Sequence, residues 1–481
     1  MAKSIIQNEG IPGQKTKGQV FTPATMVNAM LDWCGYAGER ILCRHVADNS
    51  CGDGAFLTAV VERYLLAARA AGLADAVIRR QLQLYIHGMD SDREAVAQCR
   101  RQLDAVTARH GITGVKWRVL YMDSLACRLF DGMMHYVVGN PPYVRLHHFQ
   151  GITTELVHDY TFTDKGAADL YLAFFELGLR MLHPDGQLCY ITPVSWVYSK
   201  AGLAMRRYIM EQDNLLELVD LGHHQLFAGV TTYTLVTRLA GRPTGKPFSY
   251  TRYLPETGCR QHVADLTLSD VTIGDTFCLA DSGTLALLRS VSLAPDNPSI
   301  CVRNGFATLA DSVFISDSLP ESPFVIPVLK ASTGQWSRCF YPYDGEGRPL
   351  SLKVLRQHPG VAGWLAVNRE RLTQRDVRGD SWWLFGRSQA ISSVAQPKLA
   401  VNALVRDLPD LKVGFADSGC GVYSGYYITA GSAARLDEIR AALQTDAFIR
   451  YVRALKKYKS GGYYTFSAGD VERYLHYCFP S

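Results

Sequence analysis

None of the apolar runs in the 481 residues reaches the roughly 18 positions a membrane helix needs, so no membrane span is expected. The opening Met1-Ala2-Lys3-Ser4 leads into no apolar core of the secretory kind, and a cytoplasmic protein is expected. The twelve cysteines form no C-x-x-C pair and have no close His at zinc-finger spacing. That pattern argues for a reducing compartment without disulfides or structural zinc, and no metal site is expected. The glycine turn at 52–54 lacks the Lys-Ser/Thr pair of a Walker-type phosphate loop, and no internal repeat or low-complexity segment appears. Charge of one sign is scarce as well. Residues 1–240 carry 23 Lys+Arg and 23 Asp+Glu, so the net charge of +5 lies wholly in residues 241–481. Much of it sits in Arg435, Arg440, Arg450, Arg453, Lys456, Lys457 and Lys459, which reads as a polyanion-binding half or as a solvated helix face.

Against these absences stands Asn140-Pro141-Pro142-Tyr143, directly after Met134 to Gly139. The run before it is β-branched and reads as a buried strand, and the prolines stop it because proline cannot donate to a sheet ladder. An amide, a rigid turn and an aromatic ring are thereby presented at the carboxyl end of a strand, where open α/β sheets hold their ligands. The alternative is an ordinary loop, since Asn and Pro are common turn residues.

Upstream, Phe21-Thr22-Pro23 opens an amphipathic helix whose apolar face is Met26, Val27, Met30, Leu31 and Cys34, with Thr22 as its N-cap and Pro23 as its first residue. A short strand at 44–48 runs into Asp48-Asn49-Ser50-Cys51-Gly52-Asp53-Gly54, and a helix follows through about Ala71. An acidic glycine turn suits a nucleoside or a cationic cofactor better than a phosphate. A strand at 84–89 ends at Asp90-Ser91, where nucleotide-binding folds hold a ribose, and one at 117–122 ends at Asp123-Ser124. Any single acid of this kind can be a helix cap. Four strands ending in polar residues and separated by helical stretches indicate a parallel doubly wound sheet. Further on, 167–182 reads as a helix, 187–191 as a strand, 196–210 as a helix, and 215–221 and 233–239 as the last strands. His147, His148 and His158 share their spacing with no carboxylate or cysteine, so they suggest no metal site. A linker at 241–247 places the domain boundary between 245 and 246. Beyond it, basic residues recur beside aromatics and glycines, which suits either nucleic-acid contact or an aromatic core with exposed lysines.

In order and content, Phe21-Thr22-Pro23, the Asp48 to Phe56 turn, Asp90, Asp123 and Asn140-Pro141-Pro142-Tyr143 resemble the motifs of the gamma-class adenine-specific DNA methyltransferases, the Taq modification-enzyme type. The resemblance extends more loosely through Arg303 to Ile315, Phe324 to Lys330, Trp382 to Arg387, Pro397-Lys398 and Ser460 to Tyr464. It implies an α/β fold, with a Rossmann-like class I methyltransferase sheet covered by helices on both faces in residues 1–245 and an α+β target-recognition domain in 246–481. It implies S-adenosyl-L-methionine as cofactor, held by Phe21, Thr22, Asp48, Ser50, Cys51, Gly52, Gly54, Asp90, Ser91, Asp123, Ser124 and Asn140. Asn140, Pro141 and Tyr143 would be catalytic, and Tyr143, Phe174 and Tyr233 would pack the target base, with Phe227 as rival to Tyr233. Arg303, Lys330, Arg387, Lys398, Lys459 and Tyr463 would contact DNA. Two positions depart from the family pattern: Asn49 stands for the usual proline and Asp53 for a small residue.

The implied reaction is methyl transfer to the exocyclic nitrogen of adenine flipped out of double-stranded DNA. That nitrogen is a poor nucleophile because its lone pair is delocalised into the ring. Acceptance of its protons by the Asn140 side-chain oxygen and the Pro141 carbonyl would make it pyramidal, and Tyr143 would stack on the ring. Cytosine-carbon methylation would need a nucleophilic Cys after Pro, and no Pro-Cys dipeptide occurs. The same tetrapeptide would also serve an RNA or protein-glutamine N-methyltransferase, and a degenerate fold could bind DNA without catalysis. The expected partners are double-stranded DNA and a functionally paired restriction endonuclease making no stable contact. The enzyme is expected to act as a monomer in a bacterial cytoplasm.

Overall fold

The computed structural model describes residues 22–145, 156–164, 168–224, 226–227, 233–375, 381–387 and 389–481. The chain divides into two compact units, 1–285 and 286–481. The first is built on a nine-stranded sheet: β1 (Val46–Asp48), β2 (Ile86–Asp90), β3 (Arg118–Tyr121), β4 (Met134–Gly139), β5 (Leu182–Pro193), β6 (Leu215–Asp220), β7 (Thr234–Ala240), β8 (Phe248–Leu254) and β9 (Cys259–Leu266). Its order is β3-β2-β1-β4-β5-β7-β6-β8-β9. The first five strands pair in parallel, and β7 enters antiparallel between β5 and β6.

Successive residues of β5 show what covers each face, because side chains alternate along a strand. Cys189 and Ile191 belong to the core that contains Met26, Val27, Met30 and Leu31 of helix α1 (Ala24–Trp33) and Leu57, Val60 and Val61 of α2 (Ala55–Ala70). Tyr190 points the other way, its ring 5.3 Å from that of Phe175 on α5 (Leu170–Met181). Helices therefore cover both faces, which is why the central strands read as continuous apolar runs rather than alternating ones. Between these helices in the chain come α3 (Asp75–Tyr85) and α4 (Arg93–Arg109).

Three sequence expectations shift. Residues 84 and 85 close α3, which leads directly into β2 at Ile86; the apolar positions at the α3–β2 junction fit either period. The helix expected over 196–210 is a short 3-10 turn, Val194–Val197, followed by α6 (Leu203–Gln212). Buried Arg206 turns back here and donates to the carbonyls of Trp196, Ser199 and Asp275, taking up acceptors that a continuous helix would have used itself. The boundary expected at 245/246 falls inside the sheet, because β8 pairs in parallel with β6 and β9 closes on β8. The Gly-Pro turn of 241–247 joins two strands of one sheet instead of two domains.

The second unit holds three small sheets: 301–304, 426–429, 398–401 and 413–416 in one; 335–340, 325–330 and 421–423 in another; and 404–405, 463–465 and 458–459 in the third. Its main core is aromatic. Phe385 is buried, with ring contacts to Phe306, Phe314, Tyr341 and Tyr343 at 5.1 to 6.1 Å. The Trp382 to Arg387 stretch therefore begins as core packing and only its end reaches solvent, where Arg387 is exposed.

Candidate active site

The parallel strands β1, β2, β3 and β4 end on one edge of the sheet, and the site is assembled there from their carboxyl ends. Asn140, the residue after β4, donates from Nδ2 to the hydroxyl of Thr22, 3.1 Å away, and its carbonyl accepts from the hydroxyl of Ser50 at 3.4 Å. Three segments far apart in the chain thus meet at one residue. Thr22 does not cap α1 as its position suggests. The cap position is Pro23, and the Thr22 hydroxyl is spent on Asn140. Pro141 is buried and Asn140 partly so.

The glycine turn follows β1. Asp48 is 2 % exposed and accepts from the Ser50 amide at 3.1 Å. Burial pushes its carboxyl up to about 7, with that amide opposing and the Asp90 carboxylate adding to the shift. Asp90, the last residue of β2, accepts from the amides of Gly52 and Asp92, each at 2.8 Å. One carboxylate thereby bridges the glycine turn and the start of α4. Gly54 sits at φ +101, and a Cβ there would fall 2.8 Å from Cys99 Sγ on α4, so this glycine serves helix packing. Cys51 is buried, its thiol pushed well up by its neighbour Cys99 and by burial, which makes it part of the core. Asn49, at the position of the usual proline, is fully buried and accepts from Tyr190 OH at 2.8 Å, tying the turn to β5. Asp53 is half-buried, and burial raises its carboxyl. Asp123 caps the turn after β3 by accepting from Leu125 N at 3.0 Å; Ser124 is buried and Ser91 exposed. Phe21 lies outside the described residues, as do His147 and His148. Among the described residues no cluster of His, Cys, Asp and Glu could hold a metal ion.

Tyr143 is anchored by its hydroxyl, which donates to Ile191 O on β5 at 2.9 Å. Its ring meets Tyr171 and Phe227 edge-on, with centroids 6.4 and 6.1 Å away. Tyr171, on α5, is itself held by a 3.2 Å hydrogen bond to Ser195 Oγ. Phe227, the rival to Tyr233, is thus the one of the two that packs on Tyr143, while the Tyr233 ring packs on His223 at 5.5 Å. Phe174 is buried one helical step away, and its neighbours on α5, Tyr171 and Phe175, make the ring contacts. Tyr171 was legible only as one aromatic in an apolar helix, and nothing in its spacing singled it out.

Residues 115–227, which hold the tetrapeptide and the Tyr143 ring cluster, match the family described as Eco57I restriction-modification methylase. Among relatives of this chain, the type II methyltransferase M.PaeR7I of Pseudomonas aeruginosa is 26% identical over 98% of this chain and 87% of its own length. M.BstVI of Geobacillus stearothermophilus, also a type II methyltransferase, is 25% identical over 95% and 88%. The type IIL restriction-modification enzyme MmeI, solved in complex with DNA, shares the fold with a TM-score of 0.62 at 12% identity, over 92% of this chain and 63% of that one.

In the second unit the expected DNA contacts separate. Lys398 is fully buried and donates to Cys420 O at 2.8 Å, and burial lowers its ammonium to about 8. It is a structural lysine, and its expected DNA contact is withdrawn because no phosphate can reach it. Arg303 pairs with Glu472 at 2.8 Å, which raises its pKa. Lys330 ends the strand 325–330 half-buried, while Arg387 and Lys459 are exposed. Tyr463 lies beneath the Arg406 guanidinium, 4.6 Å from ring centroid to carbon. The basic C-terminal run is largely matched by acids of the same unit: Arg435 by Glu438, Arg440 by Asp437, Arg453 by Asp407 and Lys457 by Asp470, at 2.5 to 3.4 Å. Arg450 remains exposed. Among these expected contacts, outward positive charge is thus confined to a few places instead of lining a whole helix.

Proposed function

We propose that the chain is the DNA methyltransferase of a restriction-modification system, transferring a methyl group from S-adenosyl-L-methionine to the exocyclic amino group of an adenine flipped out of the duplex. One observation supports the reading: Asn140, at the end of β4, donates from its side-chain amide to Thr22 while its backbone carbonyl accepts from Ser50, so the residue proposed to activate the base is tied to both segments of the proposed cofactor turn. The donor set fits this cofactor. A buried Asp48 beside a second carboxylate is costly to ionise, and a cationic ligand would relieve that cost. Thr22, Asp48, Ser50, Gly52, Asp90 and Asp123 would hold the cofactor, which supplies a methyl group on a positively charged sulfur.

The chain's own groups do the rest. Hydrogen-bond acceptance by Asn140 Oδ1 and the Pro141 carbonyl orients the amino nitrogen and concentrates its lone pair, an electrostatic and positioning effect with no covalent intermediate. Tyr143, fixed through its hydroxyl and braced edge-on by Tyr171 and Phe227, offers a ring for the extruded base. Adenine as the target, the monomeric state, a paired endonuclease without stable contact and a bacterial cytoplasmic location belong to the same proposal. The first unit would carry catalysis and the second would read the duplex, with Arg387, Lys459, Lys330 and Tyr463 as its contact residues.

The test is transfer of labelled methyl from S-adenosyl-L-methionine to bacterial DNA, followed by digestion to nucleosides. Label is expected in N6-methyladenine; label in methylated cytosine, or only in RNA or protein, refutes the reading. Asn140→Ala is expected to abolish transfer while cofactor affinity, measured by calorimetry, stays within about tenfold of wild type, because only the transition state uses the amide fully. A larger loss of cofactor affinity would assign Asn140 to binding.

A further inference from the structure

Six non-glycine residues of the described chain have a left-handed backbone: Cys43, Asp213, Leu309, Ala390, Ser424 and Lys456. Leu309 is the one among them with a branched apolar side chain, at φ +54, and that side chain is 48% exposed. Each property alone is unremarkable in a large protein. Their coincidence is not, because Gly or Asn would take this backbone with less strain, and burial, the usual compensation for holding a leucine, is half missing.

The surroundings hold the turn rigidly. Thr308, fully buried, uses its carbonyl to accept from Gly386 N at 3.0 Å and from Arg375 Nη1 at 2.6 Å. Its hydroxyl accepts from Ala310 N at 3.0 Å and donates to Asp311 at 2.5 Å. Ala307 O accepts from Arg387 N at 3.1 Å. Residue 386 must be glycine, since a Cβ there would lie 2.3 Å from Leu309 Cγ. The leucine is therefore propped from behind by Gly386 and presented beside the exposed Arg387. An apolar tip on a braced turn, with an exposed cation on the neighbouring backbone-anchored residue, matches what duplex DNA offers: a base stack for the tip and a phosphate for the cation.

We propose that Leu309 is a DNA-deforming wedge, pressed against the base stack of bound duplex while Arg387 holds the adjacent backbone. This rests on the reading of the chain as a DNA methyltransferase and adds a positioning residue to it. Leu309 touches no reacting atom; it acts by stabilising a locally unstacked duplex.

Leu309→Gly and Leu309→Asn separate the wedge from a structural role, because both accept the left-handed backbone and both remove the apolar tip. The probe is a duplex carrying the site mapped as methylated in cells expressing the protein, with 2-aminopurine placed in turn at each step of that site. Wild-type protein is expected to raise fluorescence at one step besides the methylated adenine itself. Both variants should lose that signal and bind the duplex about tenfold more weakly, with the thermal midpoint unchanged or raised and cofactor affinity unaltered. Unchanged duplex affinity and fluorescence in the variants, with or without a lowered thermal midpoint, would overturn the wedge and leave Leu309 as packing on Gly386. A wild-type chain that neither binds nor methylates DNA would instead overturn the functional reading, and the wedge with it.

Discussion

Asp48 combines two demands on a single carboxylate. Its burial holds the acid at about 7, against a carboxylate's usual 3.8, so between those values the folded protein keeps a proton that the unfolded chain gives up. Stability then falls as pH rises through that window, by at most roughly 4 kcal/mol once the acid is ionised in both states. Asp48→Asn removes the penalty and keeps an acceptor for the Ser50 amide. Its thermal midpoint is expected to exceed wild type clearly at pH 8 and hardly at pH 4, measured by calorimetry, while affinity for S-adenosyl-L-methionine drops. An equal midpoint at both pH values would mean that Asp48 is solvated or already paired. Asn49 is the counterpart: a departure from the family's turn that serves the fold through its bond to Tyr190.

At the scale of elements, the opposite end of the sheet carries a row of histidines. His87 on β2, His45 just before β1, His135 on β4 and His183 on β5 lie side by side. His45 stacks on His87 and on His135 at 5.2 and 6.2 Å, and His135 stacks on His183 at 4.7 Å. His45 Nδ1 and His87 Nε2 are 2.9 Å apart and share one proton. Burial, then His45 and Arg118, lowers His87 to about 3; burial, then Arg44 and the neighbouring rings, lowers His135 to about 4, with Asp185 opposing. Here the unfolded chain takes up protons that the fold refuses, so stability falls as pH drops from the usual 6.5 toward the folded values. The window overlaps that of Asp48 with opposite sign, but two histidines outweigh one acid, so wild-type stability still falls as pH drops through it. His87→Gln is expected to lose less thermal stability than wild type between pH 7 and pH 5. A parallel loss would show that the row does not govern acid sensitivity. His87 and His135 each stand alone in their strands, and only strand register aligns them into a row.

For the whole molecule, the placement of β8 and β9 decides where the first unit ends. Glu217 on β6 is 3% exposed and receives Arg238 from β7 and Arg260 from β9, while Asp220 accepts from Tyr250 OH on β8 at 2.9 Å. A chain ending at 245 would lose Arg260 and Tyr250, strand buried acids and bare the edge of β6. Size-exclusion chromatography is expected to find that fragment aggregated, and a fragment ending at 281 soluble and competent for cofactor binding. A monodisperse 1–245 fragment would return the boundary to the linker. The resemblance to restriction-modification methylases spans both units, in keeping with relatives aligned over 95 to 98% of this chain.

The sequence by itself determined the first five strands, the acidic glycine turn and the Asn-Pro-Pro-Tyr turn. All of these rest on local patterns: β-branched runs, glycines where the backbone turns, and prolines that end a ladder. It also pointed to the family, since the motifs keep their order along the chain. Tertiary structure decided what those motifs do to one another. Thr22 reads locally as a helix cap and becomes a partner of Asn140, 118 residues away. Lys398 reads as a surface cation and proves to be buried on a carbonyl. Tyr171 and Phe227, from two separate segments, converge on the Tyr143 ring. Hydrogen bonds and ring contacts between distant segments have no period and no spacing, because they depend on strand order and register in the folded sheet.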